Sequence, residues 1–200
     1  MFPLPSPNAG NKVKHRVPIA GQGWELQVER LVIQRHGQFS RTYGRYTVTI
    51  GGQPQPGLTG YMVEAVGPGD NSATDNGRRI EAGRYDLTTH FRTFVSAGYS
   101  TRTDIIADAP MPAIRLLGTN KRTGILIHPV YPPEAKLYLA SVGCLNPTAE
   151  IPEDASVDFW DSRRRVIALI DSLRAFQPEA FAEAAPTRIA GATIIIDGEP

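Results

Sequence analysis

Nineteen glycines and 17 prolines cut this chain into short apolar runs, and few folds accept that punctuation. Proline removes a backbone donor and glycine loosens a helix, so long helices are interrupted while short strands joined by turns are not. Trp24, Leu26 and Val28 alternate with polar residues and 31–33 continue the run, a period-two pattern that turns one face to a core. Residues 43–50 repeat it with Tyr46, Val48 and Ile50 before Gly51-Gly52, which predicts a hairpin with its loop over 36–41. Further strands are expected over 60–66, 84–89, 113–117, 124–128 and 192–196. Residues 53–57 are rich in proline and glycine. Residues 67–77 read as a polar surface loop, a lid over a site, because they lack the Gly-Lys-Ser/Thr ending of a phosphate loop.

The C-terminal quarter breaks this style. Residues 152–176 carry Trp160, Ile167, Ile170 and Leu173 with Val166 and Leu169 alongside, a helical stripe, and Pro178 suits the first turn of a second short helix to about residue 185. The expected fold is mainly β, a barrel or sandwich, with one long C-terminal α-helix and a short second helix packed on it. Residues 1–23, with Pro3, Pro5, Pro7 and Pro18, read as a loosely attached leader, and 24–200 as a single domain.

Composition narrows the function classes. Lys plus Arg is 21 against 20 Asp plus Glu, which gives no electrostatic case for nucleic acid. The Arg163-Arg164-Arg165 run is expected on a solvated helix face. No stretch of 18 apolar residues exists, so no transmembrane helix is expected, and Met1-Phe2-Pro3-Leu4-Pro5 lacks the basic start and apolar run of a signal peptide. The chain is therefore expected to be soluble and made in the cytoplasm. One cysteine cannot form an internal disulfide, and four scattered histidines give no zinc-ligand spacing, so no metal and no cofactor is expected. His15 and His36 fall in expected loops, as solvated side chains.

The chemistry-bearing stretch is Ser141-Val142-Gly143-Cys144-Leu145-Asn146, with His128 sixteen residues before the cysteine at the end of Gly124-Ile125-Leu126-Ile127. A histidine at a strand end can take a thiol proton, and the amides of a glycine-containing turn can hold an oxyanion. The pair predicts a reactive thiol of lowered pKa. Papain-like peptidases place cysteine before histidine, and sortases space the two farther apart with an arginine soon after the cysteine, so neither pattern fits.

The pattern resembles the L,D-transpeptidase catalytic domain, whose signature is a histidine, a spacer, then Ser/Thr-His-Gly-Cys-hydrophobic-Asn. It departs from that signature at Val142, where the family carries a second histidine. Closer still is the likeness to small bacterial and phage relatives of that domain. Gly60-Tyr61-Met62-Val63-Glu64, Arg78-Arg79-Ile80-Glu81-Ala82-Gly83-Arg84-Tyr85 and the segment ending at His128 are similar to their motifs, and the likeness covers about 58–148. The resemblance implies a mostly β fold and chemistry on peptidoglycan stem peptides through a Cys144 thioester, with His128 as base. It implies an oxyanion hole from the Gly143 and Cys144 amides, and a turn shaped by Ser141 and Asn146.

Arg115, together with Arg78 and Arg79, is a candidate for a substrate carboxylate, with an ion-pair role as the alternative. His90 is a candidate replacement for the missing histidine. Tyr131 and Tyr138, in a spacer stiffened by Pro132-Pro133, are candidates for a cleft wall. Peptidoglycan lies outside the membrane, so the reading also implies delivery to the periplasm or secretion by other machinery, with an immunity protein as a possible partner. The rival expectation is a catalytically degenerate β-rich binding or structural module of phage or secretion-system origin.

Overall fold

The computed structural model describes residues 17–74, 76–99, 110–130, 138–139 and 141–200. Most of the leader, including His15, and the spacer residues Tyr131, Pro132 and Pro133 lie outside the described residues. Three long strands form an antiparallel meander: β1 (Trp24–His36), β2 (Phe39–Ile50) and β3 (Gln53–Glu64). The turn between β2 and β3 is the expected Gly51-Gly52, both at positive φ, the conformation that glycine reaches without a Cβ penalty. The first hairpin is tighter than the expected 36–41 loop. His36 pairs with Phe39, Arg35 with Ser40 and Gln34 with Arg41, so the ladder runs almost to Gly37. The proline- and glycine-rich residues 53–57 begin β3, with a register shift after Thr47 that accommodates Pro54 opposite Thr49.

The remaining strands are β4 (Gly83–Thr88), β5 (Phe94–Val95), β6 (Met111–Pro112), β7 (Ile114–Leu117), β8 (Leu126–Ile127), β9 (Asn146–Thr148) and β10 (Arg188–Asp197). Eight of them form one sheet in the order β8-β7-β4-β10-β1-β2-β3-β9, and β5 pairs with β6 apart from it. β10 returns parallel to β1, with Leu26 beside Ile194. A bridge between Ile127, at the end of β8, and Leu145, just before β9, draws the two edges of this sheet together. The result is a nearly closed, barrel-like sheet.

Its inner face carries the alternating residues: Trp24, Leu26 and Val28 on β1, Tyr85 and Leu87 on β4, Ile114 and Leu116 on β7, Ile194 and Ile196 on β10. Helix α1 (Phe159–Phe176) adds Val166, Leu169, Ile170 and Leu173 to the same core, an i, i+3, i+4, i+7 stripe. Each such side chain contributes roughly 1.5–3 kcal/mol by leaving water. The helix starts at Phe159, later than expected, because the Asp158 carboxylate accepts the Asp161 amide at 2.6 Å and caps it. Trp24 Nε1 donates to Ser172 Oγ at 2.9 Å, tying helix to sheet. The arginine run is not uniformly solvated: Arg164 is exposed, but Arg163 is buried and Arg165 pairs with Asp161. A short 3₁₀ turn (Pro178–Phe181) stands where the second helix was expected. Among the described residues no helix is long and apolar enough to cross a membrane.

Two of the segments that carry the resemblance are structural here. Glu64 accepts both Nε and Nη2 of the fully buried Arg30, at 2.9 and 2.8 Å. Arg79 pairs with Glu199 and donates Nη1 to Thr42 Oγ1 at 2.7 Å, so it is engaged in an ion pair and not held ready for a substrate. Tyr61 stacks on Tyr43 at 5.1 Å, and Tyr85 donates its hydroxyl to the Glu81 carbonyl at 2.7 Å. Breaking a buried ion pair leaves an uncompensated charge. Glu64→Gln should lower the unfolding free energy by about 3 kcal/mol, measured by urea denaturation, whereas Arg30→Met/Glu64→Leu should cost less than the single change. An equal or larger cost in the double variant would contradict this account of the pair.

Candidate active site

The bridge that closes the sheet also builds the site. Leu145 N–H donates to the Leu126 carbonyl at 2.9 Å, and His128 N–H donates to the Leu145 carbonyl at 3.1 Å. Ile127 and Leu145 are both fully buried in the core. Alternation therefore turns Leu126, His128, Cys144 and Asn146 to the opposite, outer face. His128 and Cys144 are diagonal neighbours on that face, a relation with Cα atoms roughly 7–8 Å apart. An imidazole and a thiol can close that gap. Asn146 Nδ2 donates to the His128 carbonyl at 2.8 Å, a second clamp between the two segments.

The cysteine turn is held from below by Arg122, a residue that no motif or spacing singles out. Its Nη2 donates to the Val142 carbonyl at 3.1 Å, and its Nη1 to the Arg78 carbonyl and Asn76 Oδ1, both at 2.8 Å. Arg122 thus ties the 67–77 loop to the cysteine turn, which makes that loop a brace for the site. Gly143 has φ 154°, and a Cβ there would lie 1.8 Å from Arg122 Nη2, so the turn requires glycine. Ser141 Oγ donates to the Cys144 carbonyl at 2.7 Å, the turn-shaping role expected of it. Among the described residues no acceptor meets the amide of Gly143 or of Cys144.

The thiol and the imidazole are both neutral at pH 7. Burial drives His128 down to about 4, opposed in part by its hydrogen bond with Pro129. Nδ1 lies 2.6 Å from the Pro129 carbonyl, which assigns the proton to Nδ1 and leaves Nε2 as the basic nitrogen. The expected low-pKa thiol is corrected: desolvation pushes Cys144 up, against smaller opposing effects of the Leu126 amide and the Arg122 charge. The sulfur accepts from Leu126 N–H at 3.4 Å and faces the Gly124 carbonyl at 3.8 Å, and its hydrogen bonds go to this backbone, not to the His128 ring.

Arg115 lies on the same outer face. Arg115 pairs across the sheet with Leu126 on one side and Thr88 on the other, and the Arg115 charge acts on His90. Phe94 packs against His128 with ring centroids 4.7 Å apart and planes tilted by 53°, a contact invisible in the sequence spacing. Tyr138 is not brought to this face as a substrate contact. Its hydroxyl donates to the Glu153 carbonyl at 2.7 Å and its ring lies 4.1 Å below the Arg41 guanidinium, which locks it onto the first hairpin. His36 also packs there, 5.6 Å from the Tyr138 ring. Val142, where the resemblance calls for histidine, is 65% exposed. A cavity of about 580 Å³ lies elsewhere, under Val17–Ile19 against β1, β2 and β10, and contains neither Cys144 nor His128. Among the described residues no cluster of three or more His, Cys, Asp or Glu could hold a metal ion.

The buried histidine makes stability pH-dependent. Its pKa falls from 6.5 to about 4 on folding, so between those values the unfolded chain binds the proton that the folded chain refuses. The His128 contribution is complete above about pH 6.5 and lost as pH falls toward 4. Between pH 7 and pH 4.5 the wild type should lose about 2–3 kcal/mol more unfolding free energy than His128→Asn, measured by urea denaturation at each pH. Equal losses in the two proteins would contradict the buried neutral imidazole. Comparison finds no family model, curated protein or solved structure that matches the chain, so the chemistry of the site rests on these residues alone.

Proposed function

We propose that the chain is a cysteine acyltransferase or hydrolase of L,D-transpeptidase type acting on peptidoglycan stem peptides. One observation carries the reading: a lone cysteine and a histidine with a fixed tautomer share one face across the seam of the sheet, beside two turn amides that meet no acceptor among the described residues. His128 Nε2 takes the thiol proton as Cys144 Sγ forms a bond to the substrate carbonyl carbon. The Gly143 and Cys144 amides receive the oxyanion. Collapse breaks the C–N bond, and the amine leaves with the proton from His128, giving a thioester. An amine then resolves the thioester by transfer or exchange, or water resolves it by hydrolysis. A neutral thiol and neutral imidazole suit general-base catalysis during attack better than a preformed thiolate pair.

A binding module that keeps the fold without the chemistry is the second reading. The sulfur's bonds to Leu126 and Gly124, and the exposed valine in place of a second histidine, favour it.

Defined muropeptides incubated with wild type and with Cys144→Ala, followed by mass spectrometry, separate the two. Loss or exchange of the terminal D-alanine, or cross-link formation, should occur with the wild type and fall by at least about 10³-fold in the variant. Intact muropeptides after incubation with folded wild type would favour the binding module.

A further inference from the structure

The site face holds a cation without a carboxylate partner among the described residues. Arg115 is half-buried, its Nε is shielded from water without a hydrogen-bond partner, and no described carboxylate pairs with it. His90 Nδ1 is shielded and unpartnered in the same way. Desolvation, then Arg115 and Arg92, hold His90 below its usual pKa, so the three groups crowd one region. The nearest carboxylate on the outward face of β4, Asp86, is engaged by Arg188 at 2.7 Å. A shielded guanidinium without an anion is costly unless something else supplies one.

The sheet fixes where that anion sits. Thr88, Arg115 and Leu126 form one row across β4, β7 and β8, and the bridge of Ile127 to Leu145 continues the row to Cys144. Arg115 is therefore two strands from Cys144, roughly 10 Å between backbones. The arginine side chain and one amino-acid residue together cover that distance.

We propose that Arg115, with His90 beside it, is a carboxylate subsite that takes the free C-terminal carboxylate of the acyl donor. This rests on the reading of Cys144 as the nucleophile. The subsite places the scissile carbonyl at Sγ with one residue beyond it, so the enzyme is exo-acting. Attack forms the Sγ–C bond, the C–N bond breaks, and a single amino acid leaves with the His128 proton on its nitrogen and its carboxylate still on Arg115. A planar guanidinium selects a carboxylate by two parallel hydrogen bonds. A C-terminal amide at the same place leaves Arg115 unpaired.

Alkylation of Cys144 by iodoacetate and by iodoacetamide tests the subsite without any substrate. The native wild type should show an iodoacetate-to-iodoacetamide rate ratio at least about tenfold above that of the urea-unfolded chain, because hydrogen bonds to a charged group are worth that much. Arg115→Gln should return the ratio to the unfolded value, and Arg115→Lys, which keeps the charge but not the fork, should fall between. A native wild-type ratio no higher than the unfolded one, or a folded Arg115→Gln with the ratio of wild type, would overturn the subsite while leaving Cys144 as nucleophile. A Cys144 inert to both reagents would overturn the nucleophile and the subsite together.

Discussion

Two main-chain hydrogen bonds, from Leu145 to Leu126 and from His128 to Leu145, join the two ends of an eight-stranded sheet. Without them β8 and β9 are open edges, whose unpaired amides and carbonyls invite other chains. With them the sheet closes around the side chains of β1, β4, β7, β10 and α1. The same pair of bonds sets Cys144 diagonally to His128 and sends both side chains outward while Ile127 and Leu145 point inward. Closure of the fold and assembly of the site are one event. A change that loosens the inner pair is expected to reach the outer pair as well.

Around that seam the chain supplies fixed dipoles in preference to nearby charges. Pro129 orients the imidazole, Ser141 bonds the Cys144 carbonyl, and Asn146 clamps the carbonyl of His128. Arg122 is the exception, a buried cation that joins the loop before β4 to the cysteine turn through backbone and amide oxygens and lies where a Cβ on Gly143 would point. Burial keeps both the imidazole and the thiol neutral. Arg115 lies at the far end of the same row of the sheet, where a positive group can orient a substrate without stabilising a resting thiolate.

What the sequence made legible was local. The alternation of Trp24, Leu26 and Val28, the Gly51-Gly52 turn, and the Val166, Leu169, Ile170 and Leu173 stripe each declare their own geometry within a few residues. The cysteine turn did so too, because glycine before cysteine and Ser141 three residues earlier form a self-contained unit. Contacts made across the chain were not legible. The parallel return of β10 to β1, the pairing of Arg79 with Glu199, and the capture of Tyr138 by Arg41 join residues far apart in the sequence. The direction of the thiol shift was missed for a related reason, since it depends on how much protein surrounds the sulfur and not on its neighbours in the chain. Glu64 and Arg79, in the other motifs of the resemblance, serve the frame.

The central claim is that Cys144 forms an acyl intermediate with help from His128. Acid-quenched samples taken during incubation with a tetrapeptide stem, digested and analysed by mass spectrometry, test it most directly. The account predicts an acyl adduct of the stem lacking its terminal residue on the Cys144 peptide, labile to hydroxylamine, and absent when His128 is replaced by asparagine. Turnover of the stem with Cys144 unmodified at every time point, or product formation undiminished in Cys144→Ala, would contradict it.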